Sequence, residues 1–275
     1  MNYRNIGVGV TEKLNLRASV GALIKVLFAN PENGQTMLAL ERIAALRKIK
    51  EKSEIVVKAK PFGGGVRITN QQALKEQIGD FNFDSERSRQ EEDLRILVHP
   101  ASWGKIKAIC KEHLQDTKKR IIDISPDREL TEEFEDSLKI KITPNEYKLK
   151  SKGMIIEELP TETDNVRAEG IPTVRIYFLY EAEIISSDTI RMMLTNSSQY
   201  SDDDLKKIAT EDANQDGKGR ANAILTLGHD ELTDKYNSVP LERLSESVYF
   251  GGHFLDGNVP AILEEIKHPK YNRSQ

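Results

Sequence analysis

The spacing of apolar and polar residues changes along the chain, and these changes predict the order of its secondary structure. Apolar residues three and four positions apart predict helices within residues 12–50, interrupted by a turn-rich segment at 30–35. β-Branched residues predict a strand at 54–60, and β-branched and aromatic residues together predict the strongest strand at 173–184. The pattern therefore indicates an α/β protein with a helical N-terminal extension.

The other segments with a clear pattern are shorter. Two further strands are expected, at residues 95–98 and 154–159. Four further helices are expected, at residues 103–114, 188–196, 201–213 and 258–266. The C-terminal part of the chain is therefore expected to be largely helical.

Residues 125–138 carry the most informative helix pattern, because it separates charged from apolar positions. Ser125 suits the N-cap, and Pro126 suits the first helical position, where a missing N–H costs nothing. Four carboxylates share one face, namely Glu129, Glu132, Glu133 and Asp136. Three apolar residues share another face, namely Leu130, Phe134 and Leu138. Clustered carboxylate oxygens suit Mg²⁺ or Mn²⁺, and an ordinary solvated acidic face is the alternative.

Three consecutive glycines, Gly63 to Gly65, stand between two segments that resemble strands. Glycine at such a position indicates a close approach of two backbones or a positive φ angle, because no Cβ is present. A glycine-rich turn or bulge in a hairpin is the alternative.

Composition narrows the class of protein. The chain has 275 residues, of which 31% are charged and 38% hydrophobic, with a net charge of -4. This balance is typical of a soluble globular protein and gives no indication of nucleic-acid binding. Its apolar runs are too short to span a membrane, and the N-terminus has no apolar signal region. A single cysteine, Cys110, excludes an intrachain disulfide, so we expect a cytoplasmic protein.

Several other chemistries lack their defining residues. The five histidines form no H-x-x-x-H pair, so a zinc site is not expected. The sequence also contains neither the G-x-S-x-G elbow of serine hydrolases nor the G-x-x-x-x-G-K-[ST] phosphate loop.

The order of residues in the acidic helix points to a known family. Residues 128–133, RELTEE, reproduce the R-E-U-x-E-E core of the Nudix box, where U is aliphatic, so the segment resembles the Nudix hydrolase family. The match ends at the edges of the box. A family Gly, a family Glu and a second family Gly are replaced here by Leu114, Arg120 and Glu135.

The resemblance implies a fold and a domain organisation. It implies an α/β/α sandwich with a mixed sheet in residues 53–275, with an insertion at about 70–122 and a helical C-terminal part. Residues 1–52 would form a helical extension that either packs on the core or provides a partner interface, such as that of a homodimer.

The resemblance also implies a role for individual residues. Glu132 and Glu133 would hold Mg²⁺ or Mn²⁺, and Glu129 would be a further ligand or orient the attacking water. Arg128 would fix Glu129 through an ion pair. The backbone of Gly65 would help to hold the metal. The candidates for substrate binding are Gly64, Arg67, Arg87, Arg89 and Arg175. For Arg87 and Arg89 a solvated network of ion pairs is the alternative.

We therefore expect a metal-dependent nucleotide pyrophosphohydrolase that cleaves a phosphoanhydride bond in a nucleoside di- or triphosphate derivative. One alternative is a catalytically inactive Nudix-like module that senses a nucleotide or mediates an interaction in a bacterial regulatory or defence system. A second alternative is that the core match arises by chance, which would leave an α+β interaction protein. The nucleotide substrate is the expected partner, with no nucleic acid and no membrane.

Overall fold

The computed structural model describes residues 15–49, 52–115, 121–161, 170–215, 218–244, 246–268 and 270–274. The strands of the described residues are β1 Leu16–Ala29, β2 Thr36–Ile49, β3 Lys52–Lys60, β4 Arg67–Ile68, β5 Asn82–Phe83, β6 Arg95–Val98, β7 Ile122–Asp123, β8 Tyr147–Thr161, β9 Thr173–Ile184, β10 Arg220–Gly228, β11 Val248–Phe250, β12 His253–Leu255 and β13 Tyr271–Ser274. Their α-helices are α1 Gln71–Ile78, α2 Glu86–Gln90, α3 Trp103–Gln115, α4 Pro126–Glu132, α5 Ser187–Gln199, α6 Asp202–Asn214 and α7 His229–Asn237. The expected α/β class is confirmed, and no helix among these is long and apolar enough to cross a membrane.

The chain divides into two compact units. The smaller unit comprises Met1–Ser19, Arg67–Asp123 and Pro160–Val174, and the larger unit comprises Val20–Val66, Ile124–Leu159 and Arg175–Gln275.

A mixed sheet organises the larger unit. Its strand order is β11-β12-β3-β2-β1-β9-β8-β13, and β10 pairs with β2 in addition. Most pairs are antiparallel, whereas β12 and β3 run parallel. One edge of β2 is occupied by β10, so its other edge pairs first with β1 and then, from Glu41 on, with β3. This division forces β2 and β3 to curve away from β1.

The glycine-rich segment closes the gap that this curvature leaves beside β1. The N–H of Ala22 donates to the carbonyl oxygen of Gly64 at 2.9 Å, and the N–H of Ile24 donates to that of Phe62 at 2.8 Å. The segment is therefore extended and pairs with β1, as a close backbone approach requires, and is not the turn of a hairpin.

The part of residues 12–50 that the structure describes forms β1 and β2. The prediction of helices there is therefore wrong. Neighbouring residues of β2, Leu38 and Ala39, pack into two different apolar clusters, so both faces of the sheet are covered. Strands buried on both faces carry apolar residues without a period of two, and such a run can imitate helical spacing. Pairing with neighbouring strands outweighs the helical preference of the Leu, Ala, Glu and Arg residues in β2.

Most of the other expected elements are present. The strand at 173–184 and the helices at 188–196 and 201–213 are confirmed as β9, α5 and α6. The helix expected at 258–266 is wrong, because Val259–Ile262 form only a 3-10 turn and Leu263 is already extended. Strand β10 and strands β11 to β13 were not expected, so the C-terminal part is less helical than the sequence indicates.

The described residues of the smaller unit form α1 to α3 and the short strands β4 to β7. Residues Leu16 to Ser19 of β1 pair with β6, which also pairs with β5, and β4 pairs with β7. Arg17 forms an ion pair with Asp84 at 2.7 Å, with both side chains almost fully buried. The strand expected at 95–98 and the helix expected at 103–114 are confirmed as β6 and α3.

Helix α4 begins where the sequence predicts, with Pro126 in its first turn. It is shorter than expected, because a π-helical turn at Glu133–Ser137 follows it. The predicted apolar face is confirmed, since Leu130, Phe134 and Leu138 are buried together. The rings of Phe134 and Phe62 lie 5.1 Å apart, so this face holds α4 against the glycine-rich segment.

Replacing Leu130 by alanine should test how far this packing stabilises the larger unit. Leu130 is 0% exposed, so Leu130→Ala should lower the free energy of unfolding by about 2–5 kcal/mol through lost apolar contact and a residual cavity. Leu159→Ala is the matched control, because Leu159 is 72% exposed and should change stability by less than about 0.5 kcal/mol. Urea unfolding followed by circular dichroism measures both, and equal losses would contradict the described packing.

Candidate functional site

The side chain of Glu129 on helix α4 lies against Gly64 of the glycine-rich segment. The side chain of Glu129 is only 12% exposed. A Cβ atom placed on Gly64 would lie 1.7 Å from Oε2 of Glu129, so only glycine leaves room for this carboxylate. Two motifs that are distant in the sequence therefore meet in one place.

The neighbouring glycine is required for a different reason. Gly63 has a φ angle of +137°, and a Cβ atom there would lie 2.0 Å from the carbonyl oxygen of Ala22. Glycine is therefore required at position 63 by the backbone conformation, and at position 64 by the space that the Glu129 side chain occupies. Gly65 lies opposite Gly21 of β1, and its predicted role toward a metal stays a prediction.

Arg128 holds two of the carboxylates of the acidic helix. Its Nη2 lies 2.7 Å from Oε1 of Glu129, and its Nη1 lies 3.1 Å from Oε2 of Glu132. The ion pair that was expected between Arg128 and Glu129 is present. Because Glu129 is mostly buried, this pair and the contact with Gly64 fix its position, while Glu132 is about half exposed.

Glu133 lies beside a carboxyl group that the sequence had not indicated, that of Glu41 on β2. The two carboxyl groups are close enough to interact electrostatically. Burial, and then the neighbouring charge of Glu41, raise the pKa of Glu133 to about 7. Burial also acts to raise the pKa of Glu41, but Lys60, together with Glu133 and Arg220, lowers that pKa below its ordinary value. Of the two carboxyl groups, Glu133 therefore has the higher pKa.

Three side chains from the neighbouring strands surround Glu41. Nζ of Lys60 lies 2.8 Å from its Oε2, and Nδ2 of Asn222 donates to its Oε1 at 2.7 Å. Nη2 of Arg220 lies 3.3 Å from the same Oε1. A fully buried carboxylate requires such partners, since an unpaired charge in the interior is costly.

The donors of this site suit a hard divalent cation in their chemistry. They are carboxylate oxygens, which Mg²⁺ and Mn²⁺ prefer over nitrogen and sulfur. Within the described residues, however, no three acidic, His or Cys side chains are grouped closely enough to hold one ion. Glu129 and Glu132 are directed to Arg128, and Glu133 to Glu41. Three carboxylates could share an ion only after Glu132 and Glu133 rotate away from these partners; the side chain of Asp136 lies outside what the structure describes.

Three of the expected substrate-binding residues belong to the smaller unit. Arg87 pairs with Glu91 at 2.7 Å and Arg89 pairs with Glu86, and all four side chains are largely exposed. This is the solvated ion-pair network that was the alternative for the two arginines. Arg67 is an exposed residue of β4.

Arg175, the fourth arginine expected to bind substrate, belongs to the larger unit. Its Nη1 lies 2.7 Å from Oε2 of Glu157, and both side chains are largely buried. The guanidinium group is therefore committed to an internal ion pair. A role of these four arginines in substrate binding stays a prediction.

Four residues of the site are not indicated by the sequence pattern, namely Glu41, Lys60, Arg220 and Asn222. The helical spacing within residues 12–50 assigns Glu41 to a helix, and no pattern predicts β10, which carries Arg220 and Asn222. One signal was available, because a strand at 36–49 would have put Glu41 and Arg42 between two apolar runs. A buried charge of that kind requires partners on the adjacent strands.

Two alanine substitutions should separate the roles of the adjacent glycines. Gly63→Ala should lower the free energy of unfolding by at least about 2 kcal/mol, because its positive φ angle and the carbonyl of Ala22 both exclude a Cβ. Gly64→Ala should cost only about 1 kcal/mol, because the group in the way is the mobile end of Glu129. Gly104→Ala, with no atom within 4 Å, is the control. Denaturant unfolding of the three variants checks the order, and a reversed order would contradict it.

The comparisons with known proteins assign no family to the chain. No family model matches it, and no curated protein or solved structure matches it. The interpretation of the site therefore depends on the residues and the geometry of this chain.

Proposed function

We propose that the protein is a Nudix-type, metal-dependent hydrolase that cleaves a phosphoanhydride bond in a nucleoside di- or triphosphate derivative. The observation that supports this most strongly is the contact of Glu129 with Gly64. In the family that the sequence resembles, a glycine-rich strand end lies beside the helix that carries the box. Here a long insertion separates the two in sequence, and the contact between them is retained.

The residues of the site have complementary tasks in such a reaction. Glu132 and Glu133 would hold a divalent cation, which when bound neutralises phosphate charge and lowers the pKa of a coordinated water. Glu129, fixed by Arg128 and by the backbone at Gly64, would orient the attacking water and accept its proton. Water would attack one phosphorus atom, and the bond between that phosphorus and the bridging oxygen would break.

The second candidate is a nucleotide-sensing or interaction module without hydrolytic activity. It is favoured by one specific observation. Glu129 and Glu132 pair with Arg128, and Glu133 lies beside Glu41, so within the described residues these carboxylates do not converge on one metal position. A protein of this kind would bind the nucleotide through its charged groups and would not require a metal.

Hydrolysis assays with matched variants distinguish the two candidates. The purified protein is incubated with nucleoside triphosphates, dinucleotides and nucleotide sugars in Mg²⁺ or Mn²⁺. The wild type should release phosphate or pyrophosphate, and Glu132→Gln with Glu133→Gln should lower the rate about a hundredfold or more, because cation binding is lost. Glu135→Gln is the control, because Glu135 is 48% exposed and lies next to the core motif.

Some results of these assays would contradict one or both proposals. If the wild type converts none of these compounds while one of them raises its melting temperature, the hydrolase proposal fails and the sensor takes its place. If no compound is converted and none binds, both proposals fail. Equal losses in Glu135→Gln and in the double variant would show that the effect is not specific to the motif.

A further inference from the structure

Strand pairing gathers several charged and polar side chains on one face of the larger unit's sheet. Glu41 of β2 lies opposite Lys60 of β3 and Ile224 of β10. Two residues along, Ile43 lies opposite Asn222, and Ala45 lies opposite Arg220. Side chains of paired residues, and of every second residue along a strand, point to the same face. Lys60, Asn222 and Arg220 therefore lie on the face of Glu41.

The buried carboxylate of Glu41 pairs with two cations of this face, Lys60 and Arg220. Lys60 and Arg220 reach different oxygens of the same carboxylate, at 2.8 Å and 3.3 Å. Nε of Arg220 also donates to Oδ1 of Asn222 at 3.0 Å. These bonds restrict two long side chains that would otherwise be mobile, so their charged ends stay close together.

The exposed part of this cluster is positive. Glu41 has no exposed surface, whereas the side chains of Lys60 and Arg220 are 33% and 38% exposed. Two partly exposed cations therefore flank one buried carboxylate. A ligand that approaches the cluster meets the charged ends of Lys60 and Arg220 before it meets Glu41.

We propose that Lys60 and Arg220, positioned by Glu41, form an anion-binding site for the phosphate groups of a nucleotide. The planar guanidinium of Arg220 suits two oxygens of one phosphate, and the ammonium of Lys60 suits an adjacent one. Glu133 contacts the same carboxylate, so the phosphates would lie beside the acidic helix. The inference rests on the proposed function only in identifying this anion as part of the substrate.

A small cavity extends the site along β3. It has a volume of about 40 Å³ and is lined by Ile43, Ala45, Val56, Lys58, Lys60 and Asp256. It is too small for a base or sugar in this form. The proposal therefore concerns only the phosphate groups and no other part of the ligand.

Binding of inorganic pyrophosphate to the full chain tests the proposal without a requirement for hydrolysis. Isothermal titration calorimetry in EDTA excludes any contribution from divalent cations. The wild type should bind pyrophosphate, and Lys60→Met and Arg220→Met should each weaken binding about tenfold or more, because each removes a charge-assisted hydrogen bond. Lys148→Met is the control, because Lys148 is 70% exposed and pairs with Glu183 on another part of the sheet; its affinity should equal that of the wild type.

A labelling experiment on the unmodified protein covers the case in which a variant fails to fold. Pyrophosphate should protect Lys60 from acetylation by acetic anhydride, measured by mass spectrometry, and should leave Lys148 unprotected. Equal labelling of Lys60 with and without pyrophosphate would overturn the proposal, as would wild-type affinity in both folded Met variants. Pyrophosphate binding at Lys60 without nucleotide hydrolysis would support this inference while the hydrolase proposal fails.

Discussion

The packing of helix α4 against the glycine-rich segment is the interaction on which the site depends. An aromatic pair, Phe62 and Phe134, supplies the apolar contact. Two positions further along the segment, the absence of a side chain at Gly64 admits the carboxylate of Glu129. The same surface thus combines burial of apolar area with one polar contact. Any larger residue at position 64 would have to displace that carboxylate.

Electrostatic pairing explains how a helix with several acidic residues can pack at this place. Carboxylates one turn apart repel, and partial burial strengthens the repulsion. Arg128 neutralises part of this charge by pairing with Glu129 and Glu132. Burial and the charge of Glu41 raise the pKa of Glu133, and Lys60 and Arg220 pair with Glu41. A metal ion would therefore have to replace existing pairs of these carboxylates when it binds.

The sequence predicted the local features of this site well and its surroundings poorly. The start of α4 follows from Ser125 and Pro126, and its apolar face follows from spacing of three and four residues within one helix. The ion pair of Arg128 with Glu129 was implied by the resemblance of the motif to the Nudix box. The close approach at Gly64 was also expected, because three consecutive residues without a Cβ allow another chain segment to come unusually near. In contrast, Glu41, Lys60 and Arg220 come together through pairing of strands that are distant in sequence. Residues 36–49, which carry Glu41, are rich in good helix formers, so the local pattern indicated a helix. It gave no indication that these residues form a strand of the sheet.

The central claim is that the acidic helix and the glycine-rich segment form one metal-dependent site. The most direct test is to measure Mn²⁺ binding, with electron paramagnetic resonance used to detect the free ion. We predict that the wild-type protein binds the ion, that Glu133→Gln weakens binding about tenfold or more, and that Glu135→Gln leaves it unchanged. Absence of Mn²⁺ binding in the wild type, or the same affinity in the Glu133 and Glu135 variants, would contradict the claim.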